Sequence, residues 1–147
     1  MPWAEDVRRC GNGRSTGADV RNEPAVPVAV TLPATAGSSA HARRVVGEVA
    51  SAWGLSEDLA DDAALVVTEL VSNSVDHAVG PIGLTVTRTT SGMRIEVTDR
   101  SSAMPQQRPV QLDSARGRGL IIVAALSRTW GSEPTPEGKV VWAELAP

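Results

Sequence analysis

Glu69, Asn73 and His77 follow one another at spacings i, i+4, i+8 in a mostly apolar stretch, Ala64-Leu-Val-Val-Thr-Glu69-Leu-Val-Ser-Asn73-Ser-Val-Asp-His77-Ala, and Asp76 borders the same strip. On a helix these positions project from one face. A carboxylate and an amide oxygen one turn apart are what a hard cation such as Mg²⁺ and a bound water would use. On a solvated face the same pair would only bond water or each other. His77 taken alone suits a helix C-terminus, where the macrodipole favours a cation. Asp99 ends an alternating run, where its carboxylate could accept a hydrogen bond from an exocyclic amine such as that of adenine; an Asp there also commonly starts a turn. Gly117-Arg118-Gly119 stands ahead of the apolar segment that begins at Leu120. Glycines let backbone approach closely, free N–H groups at a helix start attract phosphate, and Arg116 and Arg118 add charge suited to it. Neither a Walker loop nor a G-x-G-x-x-G fingerprint is present, nor a zinc-ligand cluster or a recognisable Ser-His-Asp set.

The elements that must position these groups follow from periodicity. Residues 26–32 alternate around Pro27, which suits an edge strand. Ser38 or Ser39 can cap a helix running to about residue 53, with Ala42, Val45, Val46 and Val49 at helical spacing and Gly54 ending it. Ser56 ahead of Glu57 and Asp58 predicts a second N-terminus, and that helix runs to about residue 77 or 78. Val66, Leu70, Val71 and Val75 flank its polar strip and face a sheet. Ile82, Leu84 and Val86 predict one strand and Met93, Ile95 and Val97 the next, with Ser91-Gly92 as a two-residue turn. Residues 100–116 read as a long loop of the kind used for lids and binding. A short helix from Leu120 to about residue 126 follows. Strands near 128–131 and 139–145 close the chain around a turn containing Pro134, Pro136 and Gly138. This order predicts an α+β two-layer sandwich, a mostly antiparallel sheet with helices on one face.

Composition narrows the class. The chain has 147 residues, a net charge of -3 and one cysteine, Cys10. The charge argues against direct nucleic-acid binding, which favours a basic face. No apolar run approaches the roughly 20 residues that span a membrane, and the N-terminus has no hydrophobic signal segment. A lone cysteine cannot form an intrachain disulfide and fits a reducing compartment, so the expected location is the cytoplasm. Residues 1–25 carry no apolar period and read as a disordered or weakly attached tail ahead of a domain over 26–147. Phe and Tyr are absent, leaving Val, Leu, Ile, Ala and Trp to build the core.

Taken in order, a Glu-x-x-x-Asn helix, an Asp at a strand end and a Gly-x-Gly helix start resemble the GHKL ATPase superfamily, which includes histidine kinases, Hsp90 and gyrase B. The chain is most similar to the single-domain members related to anti-sigma factor serine kinases. Glu69-Leu-Val-Ser-Asn73-Ser-Val-Asp-His77-Ala resembles the N-box, Val97-Thr-Asp99-Arg-Ser-Ser the adenine-binding box, and Gly117-Arg-Gly119-Leu-Ile-Ile-Val the second glycine box. Trp130-Gly131 with Gly138-Lys-Val-Val-Trp142-Ala-Glu resembles the closing hairpin. The resemblance covers roughly residues 28–146 and implies a Bergerat-type ATP-binding fold with ATP and Mg²⁺ as cofactors. It implies that Asn73 is the metal ligand, that Glu69 is the general base, and that Asp99 reads adenine N6. The backbone of Gly117, Arg118, Gly119 and Leu120 would hold phosphate, with Asp76 and His77 lining the nucleotide pocket.

Two departures bear on activity. The adenine box usually reads Asp-x-Gly-x-Gly, whereas Asp99 is followed by Arg100, Ser101, Ser102 and Ala103. A Thr or Ser often supports the adenine site from the last strand; Val140 or Val141 occupies that region. The resemblance implies a serine/threonine protein kinase acting as an anti-sigma factor, with a sigma factor and an anti-sigma factor antagonist as partners and a homodimer as its assembly. The alternative is an ATP-binding module that holds a partner without transferring phosphate. The missing glycines favour the second reading and the retained Glu69 the first.

Overall fold

Alternating apolar residues in five segments pair into one sheet in the computed structural model, which describes residues 26–77, 80–101 and 115–147. In chain order the elements are β1 (Val28–Leu32), α1 (Ser38–Ala52), α2 (Glu57–His77), β2 (Ile82–Arg88), β3 (Met93–Asp99), α3 (Ala115–Leu126), β4 (Thr129–Thr135) and β5 (Gly138–Leu145). The strand order is β1-β2-β3-β5-β4 and every described pairing is antiparallel. Cross-strand partners Leu84↔Val97, Val86↔Ile95, Ile95↔Ala143 and Val97↔Val141 put one buried row under the helices. Val45, Val46 and Val49 of α1, Val66, Val67, Leu70 and Val71 of α2, and Val123 of α3 complete the core. The predicted sandwich is the one observed.

Alternation sends the other side chains to a face without helices. There Arg94 bonds Glu96 at 2.7 Å and Glu144 at 3.0 Å and lies 4.3 Å over the Trp142 ring. Burial lowers the Arg94 pKa, but the hydrogen bonds to Glu96 and Glu144 outweigh it and hold the guanidinium above its ordinary value.

Local chemistry explains most boundaries and four differences from expectation. Ser56 Oγ accepts the Leu59 N–H at 3.2 Å and caps α2 as predicted, and Gly54 with φ 67° ends α1. The cap of α1, however, is Gly37 rather than Ser38 or Ser39; the Ser38 hydroxyl is taken by the Pro33 carbonyl. The β2–β3 connection has four residues instead of two, because Arg88 pairs with Met93 and the Thr89 hydroxyl accepts the Gly92 N–H at 3.0 Å. Strand β4 runs on through Pro134, which an edge strand tolerates. Helix α3 is described from Ala115, so Gly117-Arg118-Gly119 lies inside the helix rather than ahead of it. The predicted tail (residues 1–25) and most of the predicted loop (residues 102–114) lie outside the described residues. No helix among those described is long and apolar enough to cross a membrane.

Candidate functional site

Helix α2 is the element that assembles the site, because its apolar and polar residues share every turn. Val66, Val67, Leu70, Val71 and Ser74 are buried against the sheet and neighbouring helices. Glu69 and Asn73, on the adjoining strip, are half-buried, while Asp76 and His77 are exposed in the last turn. Neither Glu69 nor Asn73 has a hydrogen-bond or ion-pair partner among the described residues. Their oxygens therefore stand at the border of the core without internal use.

Helix α3 packs against α2 at this point. A methyl group built at Gly119 would lie 2.6 Å from Glu69 Oε2 and 3.6 Å from its Cβ and Cδ. Glycine at 119 is therefore what lets the backbone of α3 rest on the Glu69 carboxylate. Leu120, the last of the residues whose backbone is expected to hold phosphate, anchors the helix through a buried side chain. Gly117 and Arg118 precede Gly119 in the same helix, and Gly119 contributes the close packing against α2.

Asp99 is placed differently from Glu69 and Asn73. Its carboxylate is wholly buried and internally bonded. Oδ2 accepts the Ser74 hydroxyl at 2.7 Å, Oδ1 accepts the Ser101 N–H at 2.8 Å, and Lys139 Nζ lies 3.6 Å from Oδ2 with its side chain 1% exposed. The strand register sets Lys139 directly across from Asp99. The last-strand residue beside Asp99 is thus Lys139, not Val140 or Val141. Ser74 and Lys139 were not among the residues expected at the site. Ser74 carried a signal: a hydroxyl on the buried side of an apolar helix needs a partner. Because Ser74 follows Asn73, one helix reaches Asp99 with the first and presents an amide outward with the second.

The arrangement can be tested against a nucleotide. Among the described residues no three His, Cys, Asp or Glu cluster as a metal cage. Mg²⁺ does not require one, since it usually keeps several waters and binds one or two protein oxygens plus substrate phosphates. Unpartnered Glu69 and Asn73 beside the start of α3 fit the phosphate and metal end. At the base end the acceptor is present but shared with Lys139. A cleft of about 430 Å³ is lined by Thr31, Gly83, Thr98, Asp99, Arg100 and Glu137 among others, and so adjoins the Asp99 end of β3. Glu69 and Asn73 do not line it.

Comparison with known proteins agrees with this fold. Among solved structures the chain is similar to the crystal structure of the RsbU and RsbW domains of Rv1364c from Mycobacterium tuberculosis, with a TM-score of 0.63 and 21% identity. That match covers 83% of this chain and 33% of the other, so the likeness is one of fold and the chain spans about a third of its neighbour. No curated protein matches the sequence. The model of the histidine kinase-like ATPase domain matches residues 32–145. That span runs from the end of β1 to the end of β5 and includes Glu69, Asn73, Asp99 and Gly119; the chain belongs to the histidine kinase-like ATPase domain family.

Proposed function

We propose that this chain binds ATP with Mg²⁺ between α2, the start of α3 and the Asp99 end of β3, and that it transfers phosphate to a serine or threonine of a partner protein. Membership of an ATPase domain family implies ATP binding. The observation that carries the rest is Glu69: its carboxylate lies against the backbone at Gly119 of α3 and has no hydrogen-bond or ion-pair partner among the described residues. Bound ATP-Mg²⁺ supplies the phosphoryl group, and such transfer depends on positioning and charge neutralisation. Asn73 would hold the metal through its amide oxygen. Glu69 is within the strip that a partner's hydroxyl would approach and accepts its proton, directly or through one water. The backbone of Gly117, Arg118, Gly119 and Leu120 would face phosphate oxygens. The cellular reading is a cytoplasmic anti-sigma factor in a partner-switching system, with a sigma factor and its antagonist as partners.

Incubating the protein with ATP, Mg²⁺ and co-purified partners, followed by mass spectrometry for phosphoserine and phosphothreonine, tests this directly. Glu69→Gln is expected to lower transfer by roughly 10²–10⁴-fold, the usual contribution of a general base, with ATP affinity retained. Loss of affinity together with transfer would make Glu69 a structural residue instead. Gly119→Ala separates position from presence. Alanine is a better helix former by about 1 kcal/mol, so urea unfolding should show no loss of stability. The added methyl displaces the Glu69 carboxylate, and a misplacement of that size is expected to cost roughly 10²-fold in transfer rate.

One observation favours the non-catalytic reading, an ATP-binding module that only holds its partner. Where a flexible glycine-rich turn would follow the adenine-reading Asp, Ser101 donates its N–H back to Asp99. Phosphorylated product in the mass-spectrometric assay would exclude that reading.

A further inference from the structure

We propose that Lys139 sets the base specificity of this site: its ammonium competes with the exocyclic amine of adenine for Asp99, so that ATP must displace it. The proposal rests on the nucleotide reading above and concerns only the base end of that site.

The competition follows from where the chain places three groups. Asp99 and Lys139 are cross-strand partners at one end of the sheet, and both side chains point to the helix-covered side, in line with Val97 and Val141. Nζ lies 3.6 Å from Oδ2, and the two side chains are 1% and 0% exposed. Ser74 Oγ on the same Oδ2 and the Ser101 N–H on Oδ1 use further acceptor sites. A carboxylate has about four lone-pair positions, so an incoming amine contends for the one nearest the ammonium. Charge-assisted contacts are roughly twice as strong as neutral ones. Exchanging an ammonium for an aromatic amine therefore weakens what Asp99 holds.

The backbone restrains Lys139 from leaving as a unit. A methyl at Gly138 would lie 2.0 Å from the Asp99 carbonyl oxygen and 2.6 Å from Arg100 Cα, so the β4–β5 turn is seated directly on the chain leaving β3. Release must come from the side chain, whose four-carbon stem is flexible enough to carry the ammonium outward. A short neutral residue at 139 would remove the competitor and leave Asp99 anchored by Ser74 and Ser101.

Inosine triphosphate separates this from mere obstruction, because its 6-oxo group cannot donate to Asp99. By calorimetry with Mg²⁺, the wild-type protein is expected to prefer ATP over inosine triphosphate by less than about threefold. Lys139→Thr should raise ATP affinity by about tenfold, each tenfold being one unit of log Kd, with inosine triphosphate little changed. Lys139→Arg should stay close to wild type. Equal gains for both nucleotides, or no gain for ATP, overturn the proposal; so does a wild-type preference for ATP above about tenfold, a result that needs no variant to fold. Failure of every protein to bind either nucleotide overturns the site reading itself. An intact Asn73 requirement without a Lys139 effect overturns only the role of Lys139.

Discussion

Asn73→Ala is expected to lower Mg²⁺-dependent ATP affinity by roughly 10²-fold, since a lost bond to a charged group is worth about 1.5–3 kcal/mol and each 1.4 kcal/mol is tenfold. The fold should not change. Asn73 is half-buried, has no hydrogen-bond partner among the described residues, and sits in the interior of a helix where alanine is the most favourable residue. An internal role would predict the reverse, lost stability with unchanged binding. Calorimetry with and without Mg²⁺, beside a urea unfolding curve, distinguishes the two. Unchanged Mg²⁺-dependent affinity in a folded Asn73→Ala protein would remove this strip from the nucleotide site.

Asp99→Ala should have the largest effect on stability, a loss of about 3–5 kcal/mol, the range for removing one member of a buried ion pair. Lys139, at 1% exposure, would lose the Asp99 carboxylate, and the Ser74 hydroxyl would lose its acceptor. Against a total of about 5–15 kcal/mol for a domain this is a substantial fraction. The ion pairs of Arg94 are partly exposed and belong to the class worth about 0–1 kcal/mol. Urea unfolding followed by tryptophan fluorescence measures the difference. A loss below about 1 kcal/mol would mean that the Asp99 carboxylate contributes no more than an exposed pair does, against its role as the holder of Lys139.

Buried ion pairs are weak sources of net stability compared with an apolar pair of the same volume, and their removal one side at a time is what costs most. Keeping Asp99 and Lys139 together at the sheet end is therefore better explained by a role at the site than by folding. The same holds for Gly119, whose helix would be more stable with alanine and whose packing against Glu69 requires the glycine.

Features encoded within one element were legible before the fold was known. The strip of Glu69 and Asn73, the Ser56 cap and the alternation ending at Asp99 each depend on a period of 3.6 or 2 residues and on nearest neighbours along the chain. The antiparallel sandwich followed from the order of those periods. The start of α3 was read too late because Gly117 and Gly119 argue locally against helix, whereas contact with α2 outweighs the roughly 1 kcal/mol that a helical glycine costs.

What the sequence by itself determined was which residues share a helix face and which end a strand. Only the tertiary structure decided what stands opposite Asp99. Lys139 lies forty positions away, and a one-residue slip of β5 would turn it to the open face. Register between distant strands is set by the collective burial of Val97, Val141, Ala143 and Leu145, a property of no local segment. Ser74 was visible as a hydroxyl needing a partner, but its partner comes from β3 once the sheet closes beneath α2. The polar strip on α2 is therefore a local property of the chain, and the Asp99–Lys139 pair at the sheet end is a property of the packed fold.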